Sequence, residues 1–127
     1  MMAYLKAEPG AKEVRQALRR AQKGALRVLF SIINYGECLY VIEREQGVRQ
    51  VQSIIGVIDS LPISIIPAER SLVFAAARLK ARYPISYADA FSAALTKQNS
   101  ARLMTGDPEF KPLEREIVVH WLPRRLP

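Results

Sequence analysis

The sequence predicts an α/β domain in which a mostly parallel sheet is flanked by helices. Short runs of branched apolar residues, typical of strands buried on both faces, alternate with longer segments whose apolar residues recur every three or four positions. Strands that alternate with helices in this way favour parallel pairing. The 127 residues fit one domain with one core, and we find no internal repeat, linker or low-complexity tract, so residues 1–127 are taken as a single domain.

The first half of the chain contains three predicted helices and one strand. The first helix ends at Gly24, because glycine readily adopts the left-handed turn that closes helices, and Val14, Leu18 and Ala21 form its packed side. The elements that follow are a strand over Leu26–Ile33, a helix over Tyr35–Glu45 and a helix over Val48–Leu61.

The second half continues the alternation. Pro62 ends the preceding helix, and Pro84 disfavours helical geometry in the residue before it. The predicted elements are strands over Ile63–Ile66, Arg102–Thr105 and Ile117–Leu122, and helices over Glu69–Arg82 and Ser86–Gln98.

The composition is that of an ordinary soluble globular protein, with 50% hydrophobic and 24% charged residues. The longest apolar stretches, such as Val28–Ile33, are too short to cross a bilayer, and no secretory signal is visible at the start. Cys38 is the single cysteine, which excludes an internal disulfide and a cysteine-based zinc site. We therefore expect a reducing, cytoplasmic setting.

The net charge of +7 is unevenly distributed. Up to Lys23 there are six basic and two acidic residues, and the tail adds Arg124 and Arg125. This balance favours a polyanion such as RNA, or an acidic protein partner. A solvated helix face explains the charge alone equally well.

Three acidic residues are the candidates for chemistry: Glu37, Asp89 and Asp107. Each also has an ordinary structural explanation. Glu37 follows Asn34, and Asp89 follows Ser86, by the three positions that separate a helix cap from its acidic partner. Asp107 precedes Pro108, the pattern of a capping aspartate before a first-turn proline.

Their joint placement indicates more than capping. Glu37 and Asp107 follow the carboxyl ends of predicted strands, which line the ligand-binding crevice of open parallel sheets. Carboxylates that converge there repel one another, and either raised pKa values or a bound cation relieves the repulsion. Hard divalent ions such as Mg²⁺ bind oxygen ligands of this kind.

Four segments carry a resemblance to a known family. Ile85–Ala94, which reads ISYADAFSAA, and Arg102–Phe110, which reads RLMTGDPEF, resemble the C-terminal half of the PIN domain in VapC-type toxins. Asn34–Tyr40 resembles the second acidic motif of that family, and Ala3–Gly10 resembles its first helix. The resemblance covers nearly the whole chain.

The resemblance implies a metal-dependent endoribonuclease, the toxin component of a type II toxin–antitoxin system. In that family a cluster of four acidic residues binds Mg²⁺ or Mn²⁺, activates water and stabilises charge on the scissile phosphate. Glu37, Asp89 and Asp107 match three of these catalytic and metal-binding positions, and Thr105 matches a supporting polar residue beside the last. The implied partners are RNA, a cognate antitoxin protein and further copies of the chain, as a homodimer or higher homo-oligomer.

The chain departs from the family at its start. The family opens with a short apolar strand that ends in an aspartate, whereas this sequence begins Met1-Met2-Ala3-Tyr4. We therefore expect a three-layer fold without the first central strand and a site without the first aspartate. Three explanations account for this departure: the true protein has further residues upstream of the recorded start, the family resemblance does not extend to the sheet, or the chain is shortened and compensates by self-association. We favour the third.

The sequence thus supports two functions. The first is a Mg²⁺- or Mn²⁺-dependent ribonuclease, and the alternative is a catalytically impaired PIN-like module that binds RNA or an antitoxin without cleaving. A nucleotide-binding domain is disfavoured because no glycine-rich phosphate loop is present. His120 is interpreted as a satisfied or surface histidine, since no nucleophile lies beside it in the sequence. Cys38 is interpreted as a small buried apolar residue, since free cysteines are usually buried.

Overall fold

The computed structural model describes residue 1, residues 5–6 and residues 8–123. Part of the Ala3–Gly10 segment, together with Arg124 and Arg125, therefore lies outside the described residues. The helices are α1 (Ala11–Gln22), α2 (Ile32–Gln46), α3 (Val48–Ser60), α4 (Arg70–Arg82), α5 (Tyr87–Gln98) and a 3₁₀ helix (Pro108–Arg115). The strands are β1 (Leu29–Ser31), β2 (Ser64–Ile66), β3 (Arg102–Thr105) and β4 (Val118–Trp121).

The strands form two separate parallel pairs. In one pair Phe30 of β1 lies opposite Ile65 of β2, and in the other Leu103 of β3 lies opposite Val119 of β4. Both β1 and β3 contact α5, yet no strand of the described residues joins them. The α/β class and the parallel pairing are as predicted, and the strands of the described residues form two pairs rather than one continuous sheet.

The apolar core has three parts. The largest lies between α4, α5 and the 3₁₀ helix and includes Leu79, Phe91 and Leu113. A second part joins α2 to α3 around Ile42 and Ile58, which are 1% and 0% exposed. Burial of a side chain of this size contributes about 1.5–3 kcal/mol. The third part attaches α1 to the residue that follows β4; its buried members are Val14, Leu18 and Leu122.

The junction of β1 and α2 differs from the prediction. The strand ends at Ser31, because the Ser31 hydroxyl caps α2 by accepting a hydrogen bond from the Asn34 N–H at 3.1 Å. The helix therefore begins at Ile32, and Asn34 is a buried residue inside it. The interpretation of Asn34 as the cap was wrong, because the apolar pair Ile32–Ile33 continues the strand pattern into the first helical turn.

Gly24 ends α1 as predicted. Its φ is +77°, the left-handed region that residues with a Cβ disfavour. The Gly24 N–H donates to the Ala21 carbonyl at 3.0 Å, and the Ala25 N–H donates to the Arg20 carbonyl at 2.9 Å, so the last carbonyls of the helix are satisfied. Among the described helices, none combines the length and the apolar character required to cross a membrane.

Candidate metal centre

An open cleft of about 620 Å³ lies between the two strand pairs, on the side of their carboxyl ends. Phe30 of β1 and Leu103 and Met104 of β3 contribute its apolar lining. The polar lining is made of Glu8, Asn34, Glu37, Asp89, Ser92, Thr105 and Asp107. All three acidic residues singled out from the sequence thus line one cleft.

Two of these acids, Asp89 and Asp107, come close together. A carboxylate oxygen of each, and one of Glu109, lie within 4.8 Å of one another. We call Asp89, Asp107 and Glu109 the carboxylate triad. Three carboxylates at such separations repel one another strongly unless protons or a cation offset their charge. The triad is therefore a candidate binding point for a cation.

Local hydrogen bonds determine where the triad residues lie. Ser86 caps α5 by accepting from the Asp89 N–H at 3.1 Å, which places Asp89 in the first turn of the helix. The Thr105 hydroxyl accepts from the Asp107 N–H at 3.1 Å, and Asp107 Oδ1 accepts from the Glu109 N–H at 2.9 Å. The capping functions predicted for Ser86 and Asp107 are present, and they orient the same carboxylates toward the cleft.

Glu37 lies on α2 and lines the cleft outside the triad. Burial raises the pKa of Glu37, and the negative charge of Asp107 raises it further. Glu37 is thus close enough for the charge of Asp107 to affect its pKa. Its carboxylate oxygens are nevertheless not part of the group whose oxygens lie within 4.8 Å of one another.

The electrostatic cost falls most heavily on Asp89. Burial raises the pKa of Asp89 from 3.8 to about 6; the hydrogen bond with Ser86 opposes the shift, and repulsion from Asp107, Glu37 and Glu109 adds to it. The ionised form of this carboxyl is therefore poorly accommodated in the absence of a cation.

Asn34 adds a further polar atom to the cleft. Its side-chain nitrogen donates to the Ala88 carbonyl at 2.9 Å, whereas its Oδ1 is buried and has no hydrogen-bond partner among the described residues. A buried acceptor without a partner costs roughly 1–3 kcal/mol. The residue is 7% exposed, so bulk water does not readily satisfy this oxygen.

The donor set fits a hard divalent cation. Carboxylate and amide oxygens are the ligands that Mg²⁺ and similar ions prefer, and sulfur or imidazole donors, which would favour zinc, are not part of the triad. Asp89, Asp107 and Glu109 are the residues able to hold such an ion, and Glu37 and Asn34 contribute negative charge and an unpaired oxygen nearby.

Sequence reasoning missed Glu109 and misjudged Asn34. In the sequence, Glu109 appeared only as a residue of the Arg102–Phe110 motif. Its position two residues after the capping Asp107 could have identified it as a third carboxylate near Asp107. Cys38 is 5% exposed at the cleft, and burial raises the pKa of its thiol, which fits a structural residue. His120 lies in β4 and is not part of the cleft lining formed by the described residues.

Comparison with known proteins agrees with this architecture. Residues 1–116 match the PIN domain family. A solved structure, the crystal structure of VapBC2 from Rickettsia felis bound to a DNA fragment from their promoter, is similar with a TM-score of 0.73 and 18% sequence identity, over 95% of this chain and 91% of that chain. A search of curated proteins finds no match. At this identity the structural likeness shows the fold, whereas the family match spans most of the chain and confirms the resemblance seen in the motifs. The chain therefore belongs to the PIN-domain family.

Proposed function

We propose that this chain is a metal-dependent endoribonuclease that acts as the toxin of a toxin–antitoxin pair. The observation that carries the proposal is the carboxylate triad of this PIN domain: its oxygens lie within 4.8 Å of one another, and two of its members, Asp89 and Asp107, line the open cleft. A cation at this point would offset the charge of the three carboxylates, and a cation beside an open cleft suits the hydrolysis of a phosphodiester.

The residues of the cleft have separate roles in this proposal. Asp89, Asp107 and Glu109 hold Mg²⁺ or Mn²⁺, which supplies Lewis-acid polarisation of a phosphoryl oxygen and a lowered pKa for water. Thr105 keeps Asp107 in place through its hydrogen bond to the backbone. Glu37, outside the triad and with its pKa raised, is placed to accept the proton that the attacking water loses.

The reaction consumes one water for each bond that is cut. The water oxygen forms a bond to phosphorus, the bond from phosphorus to the leaving ribose oxygen breaks on the opposite side, and that oxygen takes up a proton. An excess of basic residues, +7 overall, favours binding of the RNA backbone without recognition of its bases.

The antitoxin partner is proposed from the structural neighbour, because VapBC2 is a two-component assembly and this chain shares its fold over 95% of its length. The proposed site of action is the cytoplasm, where RNA and a protein antitoxin are both present.

Self-association is part of the proposal. No strand of the described residues joins β1 to β3, so an open cleft remains between the two strand pairs. A second copy that covers this region would remove apolar surface from water. Sedimentation equilibrium at several concentrations is expected to give a mass of at least twice 14.3 kDa; a well-folded monomer at every concentration would refute this part.

The alternative function is a PIN-like module that binds RNA or an antitoxin without cleaving. It is favoured by one observation: Asp107 and Glu109, two of the three triad carboxylates, are exposed, and exposed ligands hold a cation less firmly.

RNA cleavage with Mg²⁺ or Mn²⁺, and with a chelator instead, separates the two functions. We expect metal-dependent cleavage that Asp89→Asn reduces by at least about 100-fold, since even residues behind the ligands of a metal site contribute about 10–100-fold. The matched control is Glu69→Gln, an exposed acid at the start of α4 that makes no capping hydrogen bond. Cleavage that persists without metal, or that Asp89→Asn leaves unchanged, contradicts the nuclease proposal, and RNA binding without cleavage supports the alternative.

A further inference from the structure

Four regularly spaced, exposed cations lie along one side of α1 and its C-terminal cap: Lys12, Arg15, Arg19 and the cap residue Lys23. An α-helix turns by about 100° per residue, so these positions fall within about 80° of one another around the helix axis. With a rise of about 1.5 Å per residue, they extend over about 16 Å. We call these four residues the α1 ridge.

The α1 ridge has no acidic partner in the described part of the chain. The ion pairs found there are Lys6 with Glu45, and Arg82 and Lys97 with Glu116. Cations that are not engaged by carboxylates of their own chain create a positive potential along the helix that attracts a polyanion.

Packing holds the α1 ridge in a fixed relation to the cleft. Gly10, the residue that precedes α1, lines the cleft, and a Cβ at this position would lie 3.0 Å from Leu122 Cβ. Val14 and Leu18 anchor the helix in the cluster that contains Leu122 and Met104. The ridge therefore begins at the edge of the cleft and leads away from it.

We propose that the α1 ridge binds the phosphates of single-stranded RNA that extends from the carboxylate cleft, and this inference rests on the proposed nuclease function. Over about 16 Å a stacked strand places about five phosphates, at about 3.4 Å each, against four cations. Contacts of this kind position a nucleic acid without reading its sequence.

The composition of α1 favours RNA over an acidic protein partner. Protein interfaces depend on buried apolar and aromatic anchors. The exposed large hydrophobic residues of the described chain, of which Tyr40, Val48 and Phe74 are examples, all lie outside α1. The ridge offers charge and hydrogen-bond donors without such an anchor, which suits a phosphate backbone.

The test compares two variants of equal net charge. The ridge variant replaces Lys12, Arg15, Arg19 and Lys23 with glutamine, which preserves helix propensity. The control variant carries Arg49→Gln, Arg78→Gln, Lys80→Gln and Lys111→Gln, four exposed cations elsewhere on the surface. Circular dichroism checks that both variants fold. Binding is measured with a chelator present, using single-stranded RNAs of about 16 and about 4 nucleotides, the range that single-stranded binding sites span.

For the longer RNA, the ridge variant is expected to lose about 100-fold in affinity at physiological salt. The slope of log affinity against log salt should fall by about 3, since each lost phosphate contact on a single strand accounts for about 0.7. The control variant should change affinity by less than about 5-fold. In a separate cleavage assay with Mn²⁺ in place of the chelator, kcat/KM for the shorter RNA should be the same in the ridge variant and the wild type.

Equal losses in the two variants overturn the inference, because they would reflect net charge alone. An equal loss of affinity for the shorter and the longer RNA also overturns it. Polyglutamate serves as a probe for an acidic protein partner, and a ridge variant that loses polyglutamate binding but keeps RNA binding overturns the inference as well. If the wild type binds the longer RNA through the ridge but never cleaves RNA with metal, the nuclease proposal fails and the ridge stands. If cleavage is normal and the ridge variant binds like the wild type, only the ridge fails.

Discussion

Replacement of Asp89 with asparagine is expected to stabilise the metal-free protein at pH 7. Asparagine keeps the size of the side chain and removes the negative charge that burial and the carboxylates of Asp107, Glu37 and Glu109 disfavour. The Ser86 cap is retained, because it uses the backbone N–H of residue 89. The substitution therefore isolates the electrostatic cost of one carboxylate.

The magnitude follows from the pKa of Asp89, which the folded protein raises from 3.8 to about 6. Each pKa unit corresponds to about 1.36 kcal/mol, so the cost at pH 7 is at most about 3 kcal/mol. Because Asp89 is only partly buried, solvent screening reduces this to about 1–2 kcal/mol. For a chain of this size we expect an increase in Tm of about 3–8 °C.

The dependence on pH has a definite sign. The folded state binds the Asp89 proton more tightly than the unfolded state, so the free energy of unfolding falls as the pH rises from 3.8 to about 6. Below 3.8 the carboxyl is protonated in both states and the penalty is absent. The difference in stability between the variant and the wild type should therefore appear across this interval and remain constant above it.

The assay is thermal unfolding followed by circular dichroism between about pH 4 and pH 8, with a chelator present, and then with Mn²⁺. A ligand at 100 times its Kd stabilises by about 2.7 kcal/mol, so the ion should raise the Tm of the wild type more than that of the variant. Glu69→Gln is the control, with an expected change below about 0.5 kcal/mol. A variant less stable than the wild type at pH 7, or a difference that does not vary with pH, would show that the carboxylates do not repel one another as described.

Three further predictions concern the fold. Glu116→Gln should lower the free energy of unfolding by about 1–2 kcal/mol, because the Glu116 carboxylate accepts a hydrogen bond from Tyr83 at 2.9 Å and pairs with Lys97. Hydrogen bonds from Lys97 and Tyr83 lower the pKa of Glu116. In urea unfolding, the difference in stability between variant and wild type should therefore vanish as the pH falls below 4.5. Gly24→Ala should destabilise the protein by about 1–2 kcal/mol, because the φ of Gly24 is +77°. Gly56→Ala should stabilise it by about 0.5–1 kcal/mol, because Gly56 lies inside α3, where alanine is favoured over glycine. If denaturant unfolding shows that both substitutions change stability in the same direction, this reasoning is contradicted. Ile58→Ala, at a side chain 0% exposed, should cost about 2–5 kcal/mol by chemical unfolding, and a cost below about 1 kcal/mol would show that the second core cluster is loosely packed.

The helix boundaries were largely predictable because their signals are local. Gly24, Ser86 and Pro84 end or begin helices through their own backbone chemistry, and the structure has α1 and α5 end and begin where these residues predict. The boundary between β1 and α2 was not predictable, because Ser31 and Asn34 are both residue types that cap helices, and the apolar residues between them fit a strand or a helix equally well. The choice of Ser31 depends on which residue α2 buries.

The pairing of the strands was not predictable from the pattern of residues. Periodicity identified each strand, but it carries no information on which strands pair. β1 with β2 and β3 with β4 are each joined by a single parallel register, and α5 packs against both pairs.

By itself, the sequence determined that Asp89 and Asp107 lie at the starts of helices, because capping is a property of neighbouring residues. It placed Glu37 at a helix start as well, whereas the structure has Glu37 in the second turn of α2, which begins at Ile32. Only the tertiary structure decided that Glu109 joins Asp89 and Asp107 within 4.8 Å, that Glu37 stays outside this group, and that Asn34 Oδ1 is buried without a partner among the described residues. The physical reason is that distances between carboxylates on different elements depend on how α2, α5 and β3 pack around the cleft, and that packing is set by contacts far apart in the chain.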